Sequence, residues 1–315
     1  MAKTKLAGLK EEREAITIGM EAGWPMLVTG ETGTGKTSLV VEVAETLSRD
    51  VVRVNFDGAI TPDMLVGRFQ ARRNEGATET YFQHGALPDA MKRGAVLLLD
   101  EVNSAMPDTL FLLHAVTENN PRLYIPETGE TITPEPGFCV VGTMNPSHDY
   151  AGTRELNKAF LSRFRLTVKF SPLIGRSLVS ALKQHACDKI TDEILLAVAK
   201  ILEHAAKMRK AEKINARLSI REGIACLGAI SSGMPFDKAV RYCIANKLEE
   251  YELPHFEPVF TSGIPSPLST SLDDLLNEAG KSEALNRELV EARAELARLA
   301  NVSDLFAKIA VAVKS

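Results

Sequence analysis

The chain has 315 residues, 25% of them charged, and a formal net charge of −4, which is ordinary for a globular protein of two domains or slightly more. This charge gives no general attraction to nucleic acid, and no run approaches the ~18 apolar residues that a membrane span needs. The 4 cysteines form no C-x-x-C pair, so neither a zinc site nor a disulfide framework is indicated.

A glycine-rich segment near the N-terminus fits the phosphate-binding pattern G-x-x-x-x-G-K-[ST]. The apolar run 24–28 before it predicts a buried strand, and residues 38–47 after it predict a helix. We expect the backbone N–H groups of the loop and the start of the helix to cradle a nucleoside triphosphate. Lys36 is expected to reach the β- and γ-phosphates, and Thr37 to offer its hydroxyl to Mg²⁺. The predicted loop residues are Gly30, Glu31, Thr32, Gly33, Thr34, Gly35, Lys36 and Thr37.

Two carboxylates follow the apolar run 95–99, which predicts a central parallel strand that ends at the ligand-binding edge of a sheet. Asp100 is expected to hold Mg²⁺, and Glu101 to orient and deprotonate an attacking water. GTPases of the switch type do not need a glutamate at this position. The Asp-Glu pair therefore favours an ATPase that turns over repeatedly.

A third apolar strand is predicted within residues 138–146, where small and polar residues end it and Pro146 stops it. Asn145, with Thr143 as the alternative, could hydrogen-bond the γ-phosphate or the attacking water. Arg163 and Arg165 follow shortly afterwards along the chain. A guanidinium stabilises the charge that develops on a transferred phosphoryl group. In a ring of subunits, the arginine would do so at the site of the neighbouring subunit.

The chain divides into three regions by its pattern. Residues 1–171 alternate strand and helix signals, which predicts an α/β core with a parallel sheet between layers of helices. Residues 172–252 give helical signals, including 191–209 and 236–249, and predict a small all-helical domain. Residues 253–315 begin with a proline- and serine-rich connector and continue with amphipathic helices. A leucine seam recurs there at alternating spacings of four and three residues, formed by Leu285, Leu289, Ala292, Leu296 and Leu299. This seam suits either a helix folded back on the body or one that meets a partner.

Together these motifs resemble the AAA+ ATPases, and more narrowly the MoxR-related branch with the CbbQ/NirQ/NorQ proteins, the cobaltochelatase subunit CobS and the gas-vesicle protein GvpN. The phosphate-binding loop and the Asp-Glu pair carry the broad likeness, and shorter segments carry the narrower one. These segments are 52–57 with 63–67, 85–88, 123–132, 152–156 and 162–164. The resemblance spans about residues 8–250.

The resemblance implies roles for individual residues. Asn145 matches the first sensor, and Arg163 matches the arginine finger, with Arg154 and Arg165 as alternatives. Ser219-Ile220-Arg221 resembles the Ser-x-Arg of the helical lid, so Arg221 is the expected second sensor that contacts nucleotide. Asn55 could restrain the catalytic glutamate when no client is bound. The stretch 68–82 resembles an inserted hairpin that faces a central pore, although a solvated loop is the alternative.

The resemblance also implies Mg²⁺-dependent ATP hydrolysis in a hexameric ring that remodels or activates a protein partner, for instance one with a von Willebrand factor A domain. The alternatives are a CobS-like chelatase motor subunit and a nucleotide-gated scaffold with little turnover. A DNA motor is disfavoured by the net charge. The first residues contain no apolar stretch of the secretory type, so we expect a cytoplasmic protein without membrane partners.

Overall fold

The computed structural model describes residues 6, 8–56, 60–74, 77–145, 156–256 and 259. The chain forms two compact units, one of residues up to Leu173 with Ser219–Arg221, the other of Ile174–Leu218 with residues from Glu222 onward. The boundaries expected after residues 171 and 252 stay predictions. Arg154 and the leucine seam lie outside the described residues.

The first unit alternates strands and helices along most of its length. Its elements in chain order are α1 (Lys10–Glu21), β1 (Met26–Gly30), α2 (Lys36–Thr46), β2 (Val51–Asn55), α3 (Pro62–Val66), β3 (Gly67–Asn74), β4 (Ala77–His84), α4 (Ala86–Arg93), β5 (Val96–Asp100), α5 (Pro107–Val116), β6 (Leu123–Ile125), β7 (Glu130–Ile132), β8 (Cys139–Met144), α6 (Lys158–Leu161) and β9 (Leu166–Phe170). The strands predicted at 24–28, 95–99 and within 138–146 are present within two residues of their expected bounds.

A five-stranded parallel sheet in the order β2-β5-β8-β1-β9 forms the centre of this unit. The order places β5, β8 and β1 side by side, although long segments separate them in sequence. Because parallel strands all end at the same edge, the residues that follow these three strands are brought together there. The predicted α/β fold with a parallel sheet and flanking helices is confirmed.

The buried residues of the central strands alternate between two apolar clusters, one on each face of the sheet. Leu97 and Leu99 of β5 belong to one cluster, whereas Val96 and Leu98 belong to the other. This alternation follows from the pleat, which points successive side chains to opposite faces. A strand that is covered on both faces reads as a continuous apolar run, which is why residues 95–99 gave a clear signal.

Two antiparallel hairpins complete the first unit. β3 pairs with β4 over eight residues, from Gly67 opposite His84 to Asn74 opposite Ala77. The predicted hairpin at 123–132 is confirmed as β6 and β7. The described residues of the stretch 68–82 therefore form paired strands and not an irregular loop, whereas the expected position at a central pore stays a prediction.

The second unit is helical. Its elements are α7 (Gly175–Lys183), α8 (Asp192–Lys210), α9 (Ile220–Ser231, of which Ile220 and Arg221 group with the first unit) and α10 (Phe236–Cys243). Thr191 caps α8, because its side chain accepts a hydrogen bond from the Ile194 N–H at 3.4 Å. The helix predicted over 236–249 is shorter, since Ile244 leaves helical geometry with φ −125° and ψ −63°. Within the described parts of the chain, no helix has the length and apolarity to cross a membrane.

Candidate active site

The phosphate-binding loop connects β1 to α2, and its curvature depends on glycine. Gly30, Gly33 and Gly35 have φ values of 155°, 82° and 90°, which strain any residue with a side chain. A Cβ on Gly30 would lie 2.7 Å from the Phe170 carbonyl oxygen, and one on Gly33 would lie 2.4 Å from Ser219 Oγ. Alanine at either position would therefore force the backbone out of its present course.

The side chain of Lys36 is folded into this loop and is almost fully buried. Its Nζ donates hydrogen bonds to the carbonyl oxygens of Gly30 and Glu31, each at 2.8 Å, and to Asn145 Oδ1 at 2.9 Å. Burial lowers the pKa of Lys36 to about 8, although the negative charge of Asp100 opposes this change. The lysine is thus held by neutral acceptors in a place where an anion would bind it more strongly.

Asp100 ends β5, and its carboxylate is bound by residues from three other elements. Thr37 Oγ1 donates to Oδ1 at 2.9 Å and to Oδ2 at 3.2 Å. Thr143 Oγ1 donates to Oδ1, and Arg53 Nη2 forms an ion pair with Oδ2. The two oxygen donors predicted for Mg²⁺, from Thr37 and Asp100, are thus in direct contact. A hydroxyl and a carboxylate suit Mg²⁺, which usually takes one or two carboxylates together with phosphates and water.

Glu101 follows with a left-handed backbone, at φ 57°. This conformation costs a non-glycine residue roughly 1–3 kcal/mol and is concentrated at functional sites. The Glu101 N–H donates to Thr143 Oγ1 at 3.2 Å, and the side chain is exposed. A buried carboxylate on Asp100 and a solvated one on Glu101 therefore lie side by side, which suits the separate tasks of metal binding and proton transfer.

Two asparagines connect the end of β8 to the loop after β5. Asn145 accepts from Lys36 through its side chain, and its carbonyl oxygen accepts from Asn103 Nδ2 at 3.0 Å. Asn103 is completely buried, and its Oδ1 has no hydrogen-bond partner among the described residues. Thr143, the alternative to Asn145 in the sequence, contacts Asp100 instead. The two polar residues at the end of β8 therefore serve different parts of the site.

Residues 25–164 match the family model of the AAA domain, dynein-related subfamily. A stretch of 233 residues is also 30% identical to an uncharacterised protein of Staphylococcus saprophyticus, over 73% of this chain and 87% of that protein. The chain belongs to the AAA family. Midasin from Giardia intestinalis is 31% identical over 225 residues, which is 66% of this chain but 4% of midasin.

The fold agrees with this membership. RuvB of Thermotoga maritima superposes with a TM-score of 0.50 at 17% identity, over 86% of this chain and 80% of RuvB. As a member of the AAA family, the chain is an ATP-binding and ATP-hydrolysing enzyme, and its family favours assembly into an oligomer. The narrower resemblance to the MoxR-related branch stays a prediction.

The arginines of this AAA ATPase that follow β8 have different surroundings. Arg163 Nη1 forms an ion pair with Glu118 Oε1 at 2.8 Å, while its Nε is buried with no hydrogen-bond partner in the described part of the chain. Arg165 Nη2 donates to Asn119 Oδ1. Arg154 lies outside the described residues. Arg163 is therefore half-buried and only partly satisfied within its own subunit.

Two residues at this site, Arg53 and Asn103, escaped the sequence analysis. Asn103 lies two residues beyond Glu101, and nothing in the neighbouring sequence distinguishes it from an ordinary loop asparagine. Arg53 lies in β2 opposite Leu98, on the face of the sheet that Asp100 also uses. The sequence offered one signal for Arg53, namely a charged residue between two apolar residues in the middle of a strand. Asn55, opposite Asp100 in the same register, makes no hydrogen bond with Glu101 among the described residues.

We expect the affinity for ATP to fall as pH rises through about 8. Burial, aided by the nearby charge of Arg221, lowers the pKa of Lys36 to about 8 in the free protein, whereas bound phosphates raise it again. Below this pH the lysine is charged with or without ATP. Above it, binding must take up a proton, so the dissociation constant should rise about tenfold per pH unit.

Isothermal titration calorimetry measures this uptake directly, in two buffers of different ionisation enthalpy at a pH between the free and bound pKa values. Binding at neutral pH, where Lys36 is already charged, is the control. An apparent enthalpy that is equal in both alkaline buffers would contradict the expectation.

Proposed function

We propose that this AAA ATPase hydrolyses ATP with Mg²⁺ in a ring of six subunits and uses the cycle to remodel or activate a protein partner, as a MoxR/CbbQ/NorQ-like chaperone. One observation carries the chemistry, namely that two hydrogen-bonded pairs, Lys36 with Asn145 and Thr37 with Asp100, lie where the strands end. Glu101 lies beside them, and its N–H donates to Thr143, which also contacts Asp100. In this proposal residues 1–171 are the nucleotide-binding core and 172–252 the helical lid. Residues 253–315 are a C-terminal extension.

The residues of the site have separate tasks in this proposal. The backbone N–H groups of residues 30–37 and the start of α2 bind the phosphates, and Lys36 exchanges its neutral acceptors for the β- and γ-phosphate oxygens. Thr37 and Asp100 hold Mg²⁺, which supplies positive charge to the same phosphates. Arg221, which groups with the core, contacts the nucleotide as the second sensor.

Hydrolysis needs a base and an oriented water. The Glu101 carboxylate takes a proton as the water oxygen bonds to the γ-phosphorus, and the bond from that phosphorus to the bridging oxygen of ADP breaks. Asn145 orients the water or the γ-phosphate through the side chain that now contacts Lys36. Arg163 of the neighbouring subunit stabilises the charge on the transferred phosphoryl group.

The β3–β4 hairpin supports a role in contacting a client. Phe69 is 55% exposed on it, and Arg72 lies over the ring of Tyr81 with its Cζ 5.5 Å from the centroid. Exposed aromatic and cationic side chains on this hairpin suit contacts with a protein chain. A partner with a von Willebrand factor A domain is the alternative to direct contact with an unfolded client.

Assembly is tested by measuring ATPase activity against protein concentration. Because a neighbour is needed to complete the site, we expect the specific activity to rise with concentration in step with the oligomer seen by sedimentation, and to vanish in EDTA. Activity that is proportional to concentration in a monomeric sample would contradict the ring. Negligible activity in the assembled sample would favour a nucleotide-gated scaffold, and strong stimulation by DNA would favour a DNA motor.

Remodelling is tested by comparing the proteins retained by two variants of the full chain. Glu101→Gln should hold the ATP-bound state, whereas Lys36→Met should remain without nucleotide, so a client is a protein retained by the first variant and released by the second. Adding this client to the wild type should change its ATPase rate. Retention that is identical in both variants would contradict a nucleotide-driven cycle.

A further inference from the structure

The carboxylate of Asp100 accepts from three donor groups in this structure. Its two oxygens take the contacts from Thr37, from Thr143 and from the guanidinium of Arg53. A carboxylate offers about four lone-pair positions, and these donors occupy most of them, because the single Thr37 hydroxyl proton is shared between the two oxygens. A metal ion, or a water bound to one, therefore meets a carboxylate that is already largely surrounded and already carries one cation.

Arg53 is the partner that can leave without a change in the backbone. Thr143 is 1% exposed within β8, and Thr37 lies in the first turn of α2. The Arg53 side chain, by contrast, is 56% exposed, and its strand β2 is at the edge of the sheet. Its long side chain can swing into solvent, because no backbone group of the described residues forms a hydrogen bond with it.

Charge places Arg53 and a metal ion in competition for Asp100. Arginine cannot lose its proton in a protein, so Arg53 always brings a full positive charge to Asp100. A divalent cation at the same carboxylate would repel this guanidinium strongly at such short range. Occupancy by one cation therefore weakens occupancy by the other.

We propose that Arg53 is a tethered counter-ion that competes with Mg²⁺ for Asp100 and so sets how strongly ATP binding depends on Mg²⁺. This inference rests on the proposed Mg²⁺ site at Thr37 and Asp100. With Arg53 present, Asp100 is neutralised even when Mg²⁺ is absent, so a metal-free triphosphate meets less repulsion. Without Arg53, Asp100 repels free ATP and binds Mg²⁺ without competition. Arg53 is thus a positioning residue that acts through Asp100.

The test measures the coupling between Mg²⁺ and nucleotide. The dissociation constant of a fluorescent, non-hydrolysable ATP analogue is determined in EDTA and in excess Mg²⁺, and the ratio of the constant in EDTA to the constant in Mg²⁺ is compared between variants. We expect Arg53→Met to raise this ratio about tenfold, which corresponds to the loss of one charge-assisted hydrogen bond. Arg53→Lys keeps the charge and should remain near the wild-type ratio. Arg93→Met removes a similarly exposed arginine that pairs with Asp50 and Asp89, and should leave the ratio unchanged.

The outcomes separate this inference from the Mg²⁺ site itself. A wild type and an Arg53→Met variant that both bind the analogue equally with and without Mg²⁺ would overturn both. A wild type with Mg²⁺-dependent binding and an Arg53→Met ratio that is unchanged or lower would overturn only the role of Arg53. A structural role would weaken binding equally in both conditions and so also leave the ratio unchanged. If Arg53→Met does not fold, as judged by thermal melting, Arg53→Gln replaces it with the same expected ratio.

Discussion

Replacing Glu101 with glutamine should lower ATP turnover by about 10²–10⁴-fold, the range that a positioned general base contributes. The amide keeps the size and hydrogen-bonding capacity of the side chain but cannot accept the proton of the attacking water. ATP binding should be unchanged, because Lys36 and Thr37 make their contacts with other residues. The turnover number and the dissociation constant for ATP, measured on the same preparation, separate the two effects.

The matched control is Glu127→Gln, the same chemical change on an exposed turn between β6 and β7, which should keep wild-type turnover. Glutamine also tolerates the left-handed backbone at position 101 about as well as glutamate does, so the fold should not respond. Equal turnover in Glu101→Gln and the wild type would remove this residue as the base. A parallel loss of binding and turnover would instead point to damage of the loop.

The parts of the site that lie within one strand–loop unit could be predicted from the sequence. The curvature of residues 30–37 depends on the local sequence alone, because it results from glycines in the left-handed region and from the helix that follows them. Asp100 could be placed because a buried parallel strand has a continuous apolar pattern and ends at the ligand edge. The contact between Thr37 and Asp100 then follows from two local motifs and the family of folds that they indicate.

Contacts between distant strands could not be predicted in the same way. Arg53 meets Asp100 because β2 pairs with β5 in one register, and a shift by one residue would turn Arg53 to the other face. Asn103 meets the Asn145 carbonyl oxygen because β8 lies next to β5. Neither the strand order nor the register is encoded in a short segment. Arg53 and Asn103 were therefore missed, although the residues that they contact, Asp100 and Asn145, were singled out from the sequence.

The contacts of Arg163 set the conditions for its proposed role in a neighbouring site. Its ion pair with Glu118 is partly exposed and therefore worth little, about 1 kcal/mol or less. The guanidinium can thus leave Glu118 for a phosphate group at the site of the next subunit, because the negatively charged phosphate oxygens bind it more strongly. His114, which stacks on Phe160 at 5.3 Å, helps to hold the segment that carries Arg163.

Arg163→Ala should lower turnover by about 10³–10⁵-fold, the range known for arginine fingers, while each subunit still binds ATP. Arg165→Ala is the matched control, and Glu118→Gln frees Arg163 without removing it, so both should retain most of the activity. Mixing Arg163→Ala with Glu101→Gln subunits gives the decisive measurement. One variant supplies the intact base and the other the intact arginine, so mixed rings should regain activity only if the arginine acts across the interface. Mixed rings that form, as judged by native mass spectrometry, yet stay inactive would exclude action in the neighbouring site.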